Sequence, residues 1–371
     1  MESSFDKIKG RLGFGCMRLP TVNEEIDIPK FSEMVDAFIS AGFNYFDTAH
    51  GYHGGRSEGA IKAALTSRYP REAYVIADKL STFHFEREEE IRPLFEKQLS
   101  ALGVDYIDFY LMHSQNTALY EKYTRARAYE VAAELKREGK IRHLGISFHD
   151  KASLLDRILT EHPEIELVQI QFNYADYENP AVESRACYEV CRKHGKPIAI
   201  MEPVKGGNLV KLPEAALEIL NSLGGGSPAS YALRFAAGFD GVVTVLSGMG
   251  SLDMISENTA FMKDFKSLSA EELSAIDAVC AVLRNAALIQ CTACEYCIDG
   301  CPANIPIPRI FACVNGAEIW KDWSGQFYYG VHTKNGGKAS ECVGCGACEA
   351  VCPQNIKISE VMADFARRLK A

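Results

Sequence analysis

The feature that most constrains this chain is a cysteine pattern that occurs twice in its last fifth. Both copies have the spacing C-x2-C-x2-C-x3-C-P. The first copy consists of Cys291, Cys294, Cys297, Cys301 and Pro302. The second copy consists of Cys342, Cys345, Cys348, Cys352 and Pro353. Cysteines separated by only two or three residues bring several thiolates close together, so the pattern predicts metal binding.

This spacing is the one by which thiolates hold 4Fe-4S clusters in bacterial-type ferredoxins. Three closely spaced cysteines reach three corners of one cluster, and in two-cluster proteins the fourth cysteine ligates the other cluster. We therefore predict a first cluster on Cys291, Cys294, Cys297 and Cys352. We predict a second cluster on Cys342, Cys345, Cys348 and Cys301.

The cysteines have two other interpretations, a structural zinc site and disulfides. A structural zinc ion needs four ligands, so eight cysteines in a doubled run are explained better by two clusters. Disulfides are typical of small secreted domains, whereas this chain has 371 residues. Both alternatives are less consistent with the spacing than two clusters are.

Composition limits the function and the location. The formal net charge of -9 argues against nucleic acid as a partner. The sequence lacks an apolar run of roughly 18 residues, which argues against a membrane span, and its mixed-charge N-terminus does not resemble a signal peptide. Thirteen cysteines indicate a reducing compartment, so we expect a cytoplasmic protein.

Up to about residue 285, short apolar runs alternate with amphipathic stretches. The eight predicted strands cover 12–16, 45–46, 74–77, 106–111, 143–145, 167–171, 197–201 and 242–246. The predicted helices cover 31–40, 57–67, 88–101, 123–138, 151–160, 181–194, 228–237 and 252–264. This count predicts an α/β fold, a (β/α)8 TIM barrel. A doubly wound sheet is the alternative, but the sequence lacks a G-x-G-x-x-G motif after the first strand.

We expect the chain to divide into a barrel over residues 1–285 and a mainly helical ferredoxin-type domain over 286–371. Ser269 and Glu272 form a capping pattern that opens the last barrel helix. Helices are predicted at 306–320 and 359–369 in the second domain. No low-complexity linker precedes Cys291, so the two parts are expected to be docked.

Four side chains suited to proton transfer follow three consecutive predicted strands. Asp47 ends one strand and Tyr52 follows it, while Lys79 and His113 end the next two. Active sites of TIM barrels form at these strand ends, so the four groups are expected to converge. A nearby ammonium lowers the pKa of a tyrosine from its ordinary value of about 10, so Lys79 is expected to activate Tyr52 as an acid. Each residue alone also has a structural explanation, such as a helix cap or a buried histidine.

Over roughly residues 10–280 the chain resembles the aldo-keto reductase family. The matching pieces are Leu12-Gly-Phe-Gly15, Asp47-Thr-Ala-x-x-Tyr52, Lys79, Leu111-Met-His113, Gly145-Ile-Ser147, Val168-Gln-Ile-Gln171 and Ser256-Glu-Asn258. The resemblance implies a catalytic tetrad of Asp47, Tyr52, Lys79 and His113, with Tyr52 as general acid. It extends to the branch of that family that carries a C-terminal ferredoxin domain.

The resemblance also implies a nicotinamide cofactor. Ser147 and Gln169 correspond to side chains that hold the carboxamide, and the loop of Pro203, Val204, Lys205, Gly206 and Gly207 resembles the one that covers the pyrophosphate. Glu257 and Asn258 correspond to residues that contact the adenine.

The sequence departs from the family pattern at four positions. Phe148 replaces an asparagine, and Glu202 places an acid near the expected phosphates. Gly248 and Met254 stand where a lysine and an arginine normally bind the 2'-phosphate of NADP. The preference between NADPH and NADH is therefore open.

Three functions are consistent with these features. The first is an oxidoreductase that interconverts a small-molecule carbonyl and its alcohol with NAD(P)H, with two 4Fe-4S clusters for electron transfer. Because a cluster passes one electron and a hydride carries two, the second is a reductase in which the clusters feed a flavin such as FMN in the barrel. The third is an electron carrier with a vestigial barrel. An external one-electron donor or acceptor protein is a possible partner in each.

Overall fold

The computed structural model describes residues 4–285, 289–291, 293–298, 300–321 and 323–368, apart from the side chain of Phe83. The strands are β1 (Leu12–Gly15), β2 (Thr21–Val22), β3 (Glu25–Ile26), β4 (Tyr45–Asp47), β5 (Val75–Leu80), β6 (Ile107–Gln115), β7 (Ile141–Phe148), β8 (Leu167–Gln171), β9 (Ile198–Met201) and β10 (Val242–Ser247). The pair β2 and β3 forms a small antiparallel hairpin. The other eight strands close into a parallel barrel, in the order β1-β10-β9-β8-β7-β6-β5-β4.

The described α-helices surround the barrel or belong to the C-terminal region. They are α1 (Ile28–Ser40), α2 (Ser57–Ile61), α3 (Glu88–Leu102), α4 (Thr117–Arg125), α5 (Ala128–Arg137), α6 (Ala152–Glu161), α7 (Ser184–Lys193), α8 (Glu214–Ser222), α9 (Pro228–Ala237), α10 (Leu252–Lys263), α11 (Ala270–Asn285), α12 (Ile307–Trp320), α13 (Ser324–Thr333), α14 (Ala347–Ala350) and α15 (Ile358–Arg368). Short 3-10 segments span Tyr52–Gly55, Arg71–Ala73, Thr82–His84, Lys205–Val210 and Ala339–Glu341, and a π-helical segment spans Lys62–Thr66. None of the described helices is long and apolar enough to cross a membrane.

The predicted (β/α)8 barrel is confirmed, and all eight predicted strands are present. The helix predicted over 123–138 is instead two helices, because Arg127 adopts a left-handed φ of 52° between them. Helix α8 and the β2–β3 hairpin were missed. The predicted capping pattern is present, since Ser269 Oγ accepts from the Glu272 amide at 3.2 Å and a Glu272 carboxylate oxygen accepts from the Ser269 amide at 2.7 Å.

The C-terminal region is helical where helices were predicted and contains two more. Helix α12 begins one residue after the predicted start, and α15 matches the last prediction up to Arg368. The predicted end at 369 and the proposed junction at 286 lie outside the described residues. Helix α13 lies between the two cysteine runs and carries three aromatic residues, Phe327, Tyr328 and Tyr329.

The N-terminal segment closes the end of the barrel where its strands begin. Ser4 Oγ donates to Asp108 near the start of β6 at 3.1 Å. The ring of Phe5 packs edge-on against Phe109 with 4.9 Å between the centroids. The interior above it is filled by buried apolar side chains such as Tyr45, Val75 and Leu111. With this end closed, the polar groups at the opposite strand ends form the accessible mouth.

At Gly145 the neighbouring strands leave no room for a side chain, which yields a stability prediction. A methyl group on its Cα would lie 2.4 Å from Leu111 Cδ2 and 2.7 Å from the carbonyl oxygen of Leu167. Neither neighbouring strand can move freely, so Gly145→Ala should lower the free energy of unfolding by about 1–3 kcal/mol. Denaturant titration of the full chain measures this change.

Gly59→Ala is the matched control. Gly59 lies in α2, is exposed, and has no atom within 4 Å of an added methyl group. Alanine there should stabilise the helix by about 0.5–1 kcal/mol. Equal effects of the two substitutions would contradict the packing argument.

Candidate functional site

The mouth of the barrel brings together the four side chains of the predicted tetrad. Asp47 ends β4, Lys79 lies one residue before the end of β5, and His113 lies near the end of β6, so three adjacent strands supply three groups. Tyr52 follows β4 in a 3-10 turn that folds back over the mouth. The parallel register therefore places distant sequence positions within contact of one another.

A buried ammonium is at the centre of this group. Lys79 Nζ donates to Asp47 Oδ1 at 2.5 Å and to the carbonyl oxygen of Thr48 at 2.6 Å. It also lies 3.4 Å from the hydroxyl of Tyr52. The Lys79 side chain is 1% exposed. Burial alone would lower the pKa of Lys79, but electrostatic interactions, the largest with the Asp47 carboxylate, outweigh burial and raise it, so the ammonium stays charged.

The pKa of Tyr52 differs from the value expected from the sequence. Burial raises the pKa of Tyr52 above its ordinary value, Lys79 opposes that rise, and Asp47 adds to it. The contribution of Lys79 has the expected sign, but the expected net lowering does not occur because desolvation is larger. The phenol is therefore held in its neutral, proton-bearing form.

His113 is positioned by a neighbour that the sequence did not single out. Its Nδ1 lies 2.6 Å from Ser81 Oγ, and its ring meets that of Tyr52 edge-on with 6.0 Å between the centroids. Burial and the nearby Lys79 hold the pKa of His113 well below its ordinary value, so the imidazole is neutral. If the Ser81 hydroxyl donates to Nδ1, the ring proton is on Nε2, where it can donate to a carbonyl oxygen.

The predicted carboxamide ligands lie beside this group. Gln169 Nε2 donates to Asp47 Oδ2 at 2.9 Å, so the residue also fixes the carboxylate that holds Lys79. Ser147 Oγ accepts from the amide of Ser114 at 2.8 Å. Phe148 is buried, as expected for a side chain that offers no polar contact.

The remaining predicted cofactor positions line the barrel rim on the β9 and β10 side. Gly206 and Gly207 have φ angles of 65° and 100°, and an added methyl group on Gly207 would meet no atom within 4 Å. This open backbone fits the approach of a phosphate. Pro203 is buried and Val204 half-buried, whereas Glu257 is exposed. Asn258 Nδ2 donates to Ser247 Oγ at 3.1 Å.

Glu202 and Lys205 have partners that sequence reasoning missed. Lys205 Nζ donates to both carboxylate oxygens of Asp176 at 2.8 Å, and both residues are buried. Arg18 Nη2 lies 3.6 Å from Glu202 Oε1. Burial raises the pKa of Glu202, and Arg18 opposes that rise more than Lys205 does. No local motif marks Arg18 or Asp176, since their roles depend on how the loops fold.

The C-terminal region contacts this side of the mouth. Tyr328 of α13 donates from its hydroxyl to Gln171 Oε1 at 2.6 Å, and both residues are buried. His332 Nε2 lies 2.6 Å from the carbonyl oxygen of Ala181. Trp320, at the end of α12, lies over Lys205 with 5.4 Å from Nζ to the ring centroid. Helices α12 and α13 thus pack against the barrel, which agrees with the expectation that the two parts are docked.

The eight patterned cysteines line two separate hollows. One hollow is bordered by Cys301, Cys342, Cys345 and Cys348. The other is bordered by Cys291, Cys294, Cys297 and Cys352. These are the two crossed sets proposed from the spacing, and the ligand assignment stays a prediction.

The hollows fit the chemistry of iron–sulfur clusters. All eight cysteines are free of disulfides, and apolar residues such as Ile305 and Phe311 complete the walls. Backbone amides approach two sulfurs, with Ala293 N 3.4 Å from Cys291 Sγ and Ile305 N 3.5 Å from Cys301 Sγ. Amide contacts to sulfur are one of the means by which proteins tune cluster potentials.

Comparisons with known proteins agree with this division of the chain. The family model described as "Aldo/keto reductase family" matches residues 11–281, and one described as "4Fe-4S dicluster domain" matches residues 290–356. An aldo-keto reductase from Bacillus halodurans has a solved structure with a TM-score of 0.60 and 27% identity, covering 72% of this chain and 91% of its own. One from Klebsiella pneumoniae in complex with NADPH has a TM-score of 0.59 at 22% identity, covering 72% and 90%, and supports the fold alone.

Two sequence relatives give the same family. An NADH-specific methylglyoxal reductase of Escherichia coli is 28% identical over 221 residues, 54% of this chain and 65% of the relative. The chain thus spans just under two thirds of that relative's length. An aldo-keto reductase of Mycobacterium avium is 27% identical over 271 residues, 72% of this chain and 84% of the relative.

Fold and matches together define an oxidoreductase built from a (β/α)8 barrel and a dicluster iron–sulfur domain. The chain belongs to the aldo/keto reductase family. The predicted resemblance is therefore confirmed.

The two hollows generate a prediction about metal content. Cys345→Ala removes one thiolate from the hollow that holds Cys301, so the iron and sulfide content of anaerobically purified protein should fall to about half. Cys280→Ala in α11 is the control, because Cys280 belongs to neither run. Unchanged iron in the Cys345 variant would contradict its assignment as a ligand.

Proposed function

We propose that this protein reduces a small-molecule carbonyl compound to its alcohol at Asp47, Tyr52, Lys79 and His113, with NAD(P)H as the hydride donor. The contact that carries the proposal is the 3.4 Å approach of the Lys79 ammonium to the Tyr52 hydroxyl beside a neutral His113. The reverse oxidation uses the same groups. The proposed cofactor-binding residues are Ser147, Gln169, Pro203, Val204, Gly206, Gly207, Gly248, Glu257 and Asn258.

In the proposed reaction, a bound nicotinamide supplies a hydride to the carbonyl carbon. Tyr52 donates its phenolic proton to the carbonyl oxygen, which balances the charge and gives the alcohol. The resulting phenolate is stabilised by Lys79, whose ammonium is already held by Asp47. His113 orients the carbonyl oxygen by donating from Nε2.

The dicluster domain is proposed to begin at residue 286 and to pass electrons one at a time to or from an external protein. Its docking beside Gln171 and Lys205 supports a role coupled to the barrel. The names of the relatives include both NADH and NADPH, so both nicotinamides are candidates for this chain. Anaerobic cofactor analysis also tests the flavin alternative, because FMN in stoichiometric amount would replace the nicotinamide proposal.

The role of Tyr52 is tested by Tyr52→Phe. Loss of the phenolic proton should lower kcat for carbonyl reduction by about 10²–10⁴-fold, the usual contribution of a general acid. The measurement is NAD(P)H oxidation with a panel of aldehydes and ketones. Tyr129→Phe is the control, since the Tyr129 hydroxyl is buried without a hydrogen-bond partner among the described residues. Retained turnover in the Tyr52 variant would refute its role as the acid.

The pKa directions yield a pH prediction. The pKa of Tyr52 is raised, so the proton needed for reduction remains bound well above neutrality. The pKa of His113 is lowered, so the ring remains neutral as the pH falls to about 6. The rate of the reduction step should therefore be flat between about pH 6 and 9. A decline centred near pH 6.5 under single-turnover conditions would show that His113 titrates in that range.

A further inference from the structure

The barrel rim carries a positively charged side chain, Arg18, next to the predicted cofactor loops. Strands β1 and β10 are neighbours in parallel register, with Phe14 paired to Ser247. Both end at the mouth, so the segment after β1 passes over the segment after β10. Arg18 is the residue that this arrangement places against Gly248.

Arg18 touches both loops assigned above to cofactor binding. A methyl group on Gly248 would lie 3.4–3.5 Å from three atoms of the Arg18 side chain. A methyl group on Gly206 would lie 3.4 Å from Arg18 Nη2 and 3.5 Å from Glu202 Oε2. The guanidinium therefore bridges the glycine turn and Gly248, and it is half-exposed, with 43% of the side chain accessible.

The neighbouring cation cannot serve the same purpose. Lys205 is 4% exposed, its ammonium is held by both oxygens of Asp176, and Trp320 covers it. Releasing it would leave a buried carboxylate without its partner, which is costly. Arg18 is held more loosely, at 3.6 Å from Glu202, longer than a good charge-assisted hydrogen bond of about 2.7–2.9 Å.

We propose that Arg18 binds the diphosphate of the nicotinamide cofactor. When the cofactor enters, the Arg18 guanidinium releases Glu202 and donates to the diphosphate instead. The planar guanidinium can donate two parallel hydrogen bonds to phosphate oxygens. Glu202 is the partner that occupies Arg18 in the free protein, and it competes with the cofactor. This assignment rests on the proposed function.

Equilibrium dissociation constants for NADH and NADPH test the exchange, measured by nucleotide fluorescence with the full, cluster-loaded chain. Arg18→Gln should weaken both nucleotides by a similar factor, about 10–100-fold, as expected for a lost hydrogen bond to a charged group. Arg92→Gln is the matched control, because Arg92 is 39% exposed and pairs with glutamates on α5 and just after it, away from the mouth. It should leave both constants unchanged.

Glu202→Gln separates competition from general electrostatics. Removing the competing carboxylate should tighten both nucleotides several-fold in the native background. The same change in the Arg18→Gln background should have a smaller effect, because no exchange remains.

Four outcomes overturn the proposal or its basis. Native affinity in Arg18→Gln would overturn the role of Arg18. A weaker affinity for NADPH alone would show that Arg18 contacts the 2'-phosphate instead of the diphosphate. Equal effects of Glu202→Gln in both backgrounds would show that Glu202 and the cofactor do not compete for Arg18. If the native chain binds neither nucleotide, the proposed function fails before this inference is reached.

Discussion

The ion pair between Lys79 and Asp47 is the interaction on which the proposed chemistry depends. An ammonium with 1% exposure is stable only if its charge is compensated, and Asp47 with the carbonyl oxygen of Thr48 provides the compensation. Gln169 holds the other oxygen of Asp47. The pair thus places a fixed positive charge beside Tyr52, and protein groups rather than water stabilise that charge.

A second buried pair links the barrel to the C-terminal region. Tyr328 donates to Gln171, Gln171 donates to Asp176, and Asp176 holds Lys205 under the ring of Trp320. If α13 moved away, the Tyr328 hydroxyl and Gln171 Oε1 would lose their shared hydrogen bond. Docking of the cluster region and the conformation of the loop at 203–207 therefore depend on the same contacts.

Much of this arrangement was accessible from the sequence, and the exceptions have physical reasons. Asp47, Lys79 and His113 could be placed together because apolar runs identify strands and parallel strands end at one face. The break at Arg127 was not visible, since a left-handed φ at an arginine leaves no compositional signal. Ser81, Asp176 and Arg18 were missed because their contacts are made across loops, whose paths do not follow from periodicity.

The net pKa of Tyr52 was also not predictable from residue types. A lysine nearby lowers a phenol pKa, but full burial raises it, and only the structure gives the balance. The raised value suits the direction of proton flow in reduction, because a neutral phenol is a donor and its conjugate base is stabilised only after transfer.

The chemistries proposed for the two halves of the chain differ in the number of electrons that they move. A hydride moves two electrons together, whereas a 4Fe-4S cluster passes one. Contacts between the halves include Tyr328 with Gln171, Trp320 with Lys205, and Phe327 with His149 just after β7, whereas Tyr52 and Lys79 lie on the β4 and β5 side. A bound nicotinamide moves only electron pairs, so the group bound at the mouth determines whether the clusters take part in turnover.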